Sequence, residues 1–196
     1  MAKTIARCFY LLLLLCSQAG AQQKPDAQPG PVVSVERQDG TFKVDASVLL
    51  PVPPCQAYAL LTDYNSLPDY IPGMLEVSFV RLSDTVVKVS QVAEAKILFF
   101  SIEVKTVLEM EEIPNQRILF KLLEGDLKAY SGEWSLQEVP EGTKLTFNAS
   151  LIFDRYIPTF LGRSILEDET AKRFAAVAIE AAARKNRTYP NCDAPK

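Results

Sequence analysis

The chain can offer acid–base or nucleophilic chemistry only through carboxylates, tyrosines, lysines and cysteines, because none of its 196 residues is histidine. That composition excludes Ser-His-Asp triads, Cys-His dyads and every His-ligated metal site. Glu94, Glu103, Glu109, Glu124 and Glu133 lie on, or next to, the polar side of alternating segments, where a row of charge serves solvation. Asp63 and Asp69 lie in a helix–loop region, where aspartate commonly caps helices. No carboxylates are paired for general acid–base work, no glycine-rich phosphate loop or nucleophile elbow is present, and no oxygen cluster is spaced for a metal. Tyr58 and Tyr130 remain as candidate proton donors. The sequence therefore calls for no cofactor and no metal.

The four cysteines divide into two pairs once the N-terminus is considered. Lys3 and Arg7 precede an apolar run over residues 8–15 that contains five consecutive leucines, and Ala19-Gly20-Ala21 follows. This is the pattern of a secretory signal peptide over residues 1–21, cleaved after Ala21. The apolar run is well short of the roughly 20 residues that span a bilayer, which weighs against an uncleaved anchor. Leu15 weighs against lipidation of Cys16, which wants a small residue before the cysteine. Cleavage removes Lys3 and Arg7 but none of the 24 acidic residues, so the charge moves from −3 to −5. That acidity argues against nucleic acid as a partner. It leaves Cys55 and Cys192, which in an exported, periplasmic or secreted protein form a disulfide candidate. The alternative is two separate thiols.

These residues must be positioned by the elements between them. Residues 22–31 are polar and proline-rich and read as a flexible leader. A single domain over 32–189 follows, with a tail over 190–196. Segments 32–37 and 41–50 read as strands around the Asp39-Gly40 turn. Ala57, Leu60, Leu61 and Tyr64 have the spacing of a short amphipathic helix, and 65–70 gives a second helical turn, stopped by Pro72-Gly73. Alternating segments at 74–82, 86–96, 99–110, 117–123, 128–138 and 143–153 read as an antiparallel meander. Residues 159–185 carry helix formers with no proline, long enough to cross a sheet. The expected architecture is α+β: a curved antiparallel sheet of about seven strands around a long C-terminal helix, with two short helices near the N-terminus.

The alternation assigns faces. Gln91, Ile102, Thr106, Phe120, Tyr130, Trp134 and Phe147 fall on the inward parity with Val87 and Val89. Phe174 falls on the apolar stripe of the long helix, and Tyr58 on the first helix. They are either core or the walls of a binding cavity. The seven alanines within residues 171–183 leave space over a concave sheet, or simply favour helix and close packing.

The stretch Val-Pro-Pro-Cys-Gln-Ala-Tyr-Ala-Leu-Leu-Thr-Asp-Tyr-Asn-Ser-Leu-Pro-Asp-Tyr-Ile-Pro-Gly-Met over residues 52–74 resembles the opening of the START-like (SRPBCC) superfamily. Its polyketide cyclase/dehydrase and coenzyme Q-binding members show the same proline before the first helix, Leu-x-Asp-Tyr-like step and Pro-Gly turn. Residues 130–136 and 158–161 resemble the family's later strand and its entry into the last helix. The resemblance spans residues from about 41 to 187. It implies a helix-grip fold with a hydrophobic cavity between sheet and long helix. It also implies that the end of that helix lies near the two short helices, which would bring Cys192 toward Cys55. The export signal departs from the coenzyme Q-binding members, which act on the inner side of respiratory membranes. The function implied is binding of a lipid, quinone or other apolar small molecule, with transient membrane contact. A cyclase- or dehydratase-like enzyme in the same cavity, using Tyr130 or Tyr58 as acid, and a ligand-free interaction module are the alternatives.

Overall fold

The computed structural model describes residues 30–97, 100–189 and 192. The expected signal peptide, nearly all of the leader and most of the tail fall outside these residues. The chain opens with β1 (Val32–Gln38) and β2 (Thr41–Leu50). Asp39 and Gly40 between them both take positive φ, 51° and 84°, as a tight two-residue hairpin turn requires. Then come α1 (Pro54–Leu61), a 3₁₀ turn at Tyr64–Ser66 and α2 (Leu67–Tyr70). The meander follows as β3 (Met74–Arg81), β4 (Val86–Ile97), β5 (Phe100–Ile113), β6 (Arg117–Gly125), β7 (Leu127–Val139) and β8 (Gly142–Phe153). The 25-residue helix α3 (Thr159–Ala183) comes last.

One antiparallel sheet of eight strands results, ordered β1-β2-β8-β7-β6-β5-β4-β3, against about seven expected. The hairpin β1–β2 joins the meander because β2 pairs with β8 over nine residue pairs, from Phe42↔Leu151 to Leu50↔Thr143. One face is apolar along the whole width: Val44 on β2, Val89 on β4, Leu108 on β5, Ile118 on β6 and Leu145 on β8 are all buried. α3 lies across this face, packed on β1 and β2 and reaching β4, with Phe174, Val177 and Ala181 turned inward. Gly162 is what allows the close approach to β2, since a Cβ there would sit 2.5 Å from the Phe42 ring.

Three fasteners close one end of this grip. The first is Glu112, near the end of β5 and only 3% exposed. It accepts hydrogen bonds from Tyr58 Oη (3.2 Å), Tyr64 Oη (2.8 Å) and both terminal nitrogens of Arg81 (3.1 Å each). The second is Arg184, just past α3, which pairs with Asp63 at 3.1 Å and lies over the Tyr70 ring. The third is the disulfide Cys55–Cys192, whose Cα atoms are 5.6 Å apart across 137 residues of sequence. Together they tie the short helices to the sheet and to the end of α3. At the corner into β3, Gly73 takes φ 71° and its carbonyl accepts the Glu94 N–H at 2.6 Å. A Cβ on Gly73 would meet the Glu94 carbonyl oxygen at 2.5 Å, so the corner requires glycine.

Candidate functional site

The space between sheet and α3 is not filled. Two adjoining lobes remain, of about 160 Å³ and 140 Å³. Each is close to the ~150 Å³ that holds one benzene-sized molecule. The first lobe lies between α3 and the β2–β8–β7 side, walled by Val44, Phe147, Ala149, Leu151 and Phe153, with Ile165 and Leu166 from the helix. The second lies under the short helices, walled by Leu61, Tyr64, Ile71, Leu108, Phe120 and Trp134. Gln91, Tyr130 and Arg173 border both lobes and so form a polar waist between them.

Each wall has a local cause. Period-two alternation turns Gln91 of β4 and Thr106 of β5 inward as direct cross-strand partners. The same rule pairs Phe120 with Gly132, and Trp134 with Phe147. Gly132 leaves room there: a Cβ would lie 2.9 Å from the Phe120 ring. The rings then form a continuous chain. Tyr130 packs on Phe120 at 4.7 Å between centroids, Phe120 on Phe147 at 5.9 Å, Phe147 on Trp134 at 4.5 Å, and Trp134 on Phe174 at 5.2 Å. The result is an aromatic wall with a polar insert, the usual composition of a small-molecule site.

Six of the nine residues expected from sequence therefore meet around the lobes: Gln91, Thr106, Phe120, Tyr130, Trp134 and Phe147. Three stand elsewhere. Phe174 is 1% exposed and belongs to the core, behind Trp134. Ile102 has the inward parity but is 46% exposed, because it lies toward the free end of the β4–β5 hairpin, beyond the lobes. Tyr58 is turned to Glu112, which removes it from the cavity and from the acid role there. Burial, then the Glu112 charge and hydrogen bond, push its phenol up to about 12 against a smaller opposing effect of Arg81.

Three residues bear on the site that the sequence did not place there. Arg173 stands four residues before Val177 and eight before Ala181, on the same helical stripe. Glu94, read as a solvated carboxylate, borders the first lobe. Glu112, which supports the second lobe through Tyr64, continues the inward parity of Thr106, Leu108 and Met110 by one more step. Extending the strand past Met110 would have found it.

The waist is short of partners. Among the described residues, neither the Tyr130 hydroxyl nor the Gln91 amide makes a hydrogen bond, and Thr106 Oγ1 and Arg173 Nε are buried without one. Burial raises the Tyr130 phenol above its ordinary value, with Arg173 opposing. Tyr130 is thus a neutral donor at physiological pH. No group of three or more metal-ligating side chains occurs among the described residues, and no described helix is long and apolar enough to cross a membrane.

The fold recurs in solved structures. Zhui aromatase/cyclase from Streptomyces sp. R1128 matches with a TM-score of 0.65 at 16% identity, over 75% of this chain and 97% of that one. A STAR-related lipid transfer protein from Xanthomonas axonopodis matches at 0.61 and 14% identity, over 80% and 96%. A third structure, TTHA0849 from Thermus thermophilus, matches at 0.64 and 21% identity, over 74% and 99%. At these identities the likeness shows the helix-grip fold and no more. No curated protein matches the sequence. A family model does, across residues 50–177, from the end of β2 to the inward stripe of α3 and so around both lobes. On that match the chain belongs to the family described as polyketide cyclase / dehydrase and lipid transport.

Proposed function

We propose that this chain is an exported binding protein that holds a lipid, a quinone or another apolar small molecule in the two-lobed cavity. The observation that carries the reading is the pair of apolar lobes joined at a waist whose polar side chains make no hydrogen bond among the described residues. Burying apolar ligand surface there yields about 25 cal/mol per Å² before association costs, and the waist supplies orientation.

Export is supported by the signal-like residues 1–21 and by the Cys55–Cys192 disulfide, a bond that persists in oxidising compartments. Transient membrane contact is supported by the end of the sheet opposite the fasteners. Ile102 of β5 and Leu123 of β6 are about half exposed there, and Tyr156, in the link before α3, and Phe160, in its first turn, are 84% and 77% exposed. Exposed aromatic and aliphatic side chains near the first lobe suit a surface that touches a bilayer while ligand passes.

A second reading, cyclase- or dehydratase-like catalysis, is favoured by one observation. Tyr130 presents a protonated, unpartnered hydroxyl to the cavity. A Tyr130→Phe variant with full turnover on any substrate found would remove it from that role. The binding reading is tested by purifying the protein from its native compartment, extracting it with organic solvent and identifying co-purified molecules by mass spectrometry. An apolar compound near one per chain is expected. An empty extract, with no thermal shift from a panel of lipids and quinones, would overturn the proposal.

A further inference from the structure

The polar groups at the waist are unequal in what they offer. Arg173 brings five N–H donors, and among the described residues it makes no hydrogen bond at all. Its ionic partner on α3, Glu169, stands one turn earlier at 3.8 Å from Nη2, outside hydrogen-bonding distance. Nε is fully buried and unpaired. Beside it, Thr106 is 4% exposed with an unpaired hydroxyl, and Tyr130 offers a neutral phenol O–H. Gln91 adds an amide. The waist is therefore rich in donors, one of them cationic; Glu169 pairs with Arg173 only at 3.8 Å, Glu94 borders the same lobe, and among the described residues neither accepts a hydrogen bond from these donors. Buried donors left unmade cost stability, and a charged hydrogen bond is about twice as strong as a neutral one. A ligand whose polar end is a hydroxyl or a ketone would meet one or two of these donors and leave the guanidinium unmet. A carboxylate would meet two of its N–H groups in parallel and still accept from Thr106 or Tyr130.

Resting on the reading of the cavity as a ligand site, we infer that the ligand is an amphipathic organic acid. Its carboxylate is held at the waist by Arg173, with Tyr130 and Thr106, and its apolar body lies in the two lobes. The lobes limit the body's size. By comparison with the benzene-sized cavity, each takes about six non-hydrogen atoms. The acid is a medium-length alkyl chain or a two-ring aromatic, and not a two-chain lipid.

The test compares decanoate with 1-decanol by isothermal titration calorimetry on the wild-type protein and on Arg173→Met, Arg173→Lys and Thr106→Val. Thermal unfolding of each variant checks that it is folded. The wild type should bind decanoate about ten- to a hundredfold more tightly than decanol. Arg173→Met should lose that factor for decanoate and change decanol affinity by less than about twofold, whereas Arg173→Lys should retain part of it. If Arg173→Met does not fold, the wild-type acid–alcohol comparison and the lysine variant still decide. Equal binding of acid and alcohol by the wild type would overturn this inference while leaving the apolar cavity reading intact. Binding of neither would overturn both.

Discussion

Replacing Glu112 by alanine tests how the second lobe is held shut. The carboxylate accepts four hydrogen bonds, two from Arg81 and one each from Tyr58 and Tyr64, and is itself 3% exposed. Breaking a buried charge pair by removing one partner typically costs about 3–5 kcal/mol. The lower end applies here, because the Arg81 side chain is 46% exposed and its guanidinium rehydrates in the variant. Tyr58 is only partly buried and finds water; the Tyr64 hydroxyl lies in a buried bond and does not. Leaving that donor unpaired accounts for about 1–3 kcal/mol, and the lost charged hydrogen bonds account for the rest. A net loss of about 3 kcal/mol is expected, measured by urea denaturation at constant m-value. Trp134, the chain's one tryptophan, reports the transition. A double-mutant cycle with Tyr64→Phe should give a coupling of about 1.5–3 kcal/mol. Native-state hydrogen exchange should speed up first in α1 and the 3₁₀ turn, since these are what Glu112 tethers. A stability within about 1 kcal/mol of wild type, or a coupling near zero, would refute the claim that this carboxylate is the tether.

Two further outcomes follow from the same end of the molecule. The Cys55–Cys192 bridge closes a loop of 137 residues, so Cys55→Ser or reduction should cost about 4–5 kcal/mol on the chain-entropy account, read as a fall in the urea midpoint; an unchanged midpoint would contradict it. Tyr58, Tyr64 and Tyr70 all have phenols raised above the ordinary value of 10.0, chiefly by burial, with Tyr58 reaching about 12. A raised folded-state pKa means the unfolded chain ionises first. Stability is fully present below pH 10 and should fall from pH 10 to about 12 as the unfolded state alone gains phenolate charge. Urea midpoints at pH 8 and pH 11 that agree would contradict this.

Strand faces were legible because a pleated strand turns alternate side chains to opposite sides, whatever its neighbours do. That rule places Gln91, Thr106, Phe120, Tyr130, Trp134 and Phe147 on one face from sequence alone, and they meet around the lobes. It cannot say how far the covering helix reaches. Ile102 keeps the parity but lies beyond the lobes and is exposed for that reason. The pairing of β2 with β8 joins residues about 100 positions apart, so nothing local encodes it. Arg173 escapes a sequence reading because a long cation on a helix stripe ordinarily snorkels to water, whereas here its Nε is buried over the cavity. Tyr58 was misplaced because helical spacing fixes a side of the helix but not the partner found there. Its partner, Glu112, lies one alternation step past the point where the strand was expected to end. Whether the core is full is a question of volume in three dimensions, which no periodicity contains.

The proposed apolar ligand occupies the space beside Trp134. Fluorescence titration with a terminally brominated alkyl acid and the matching alcohol tests it directly, since bromine quenches indole only on contact and the chain has one tryptophan. Saturable quenching at one ligand per chain, reversed by the unbrominated compound, is expected. Quenching that rises linearly without saturating, as in the urea-unfolded chain, or no quenching at all, would contradict it.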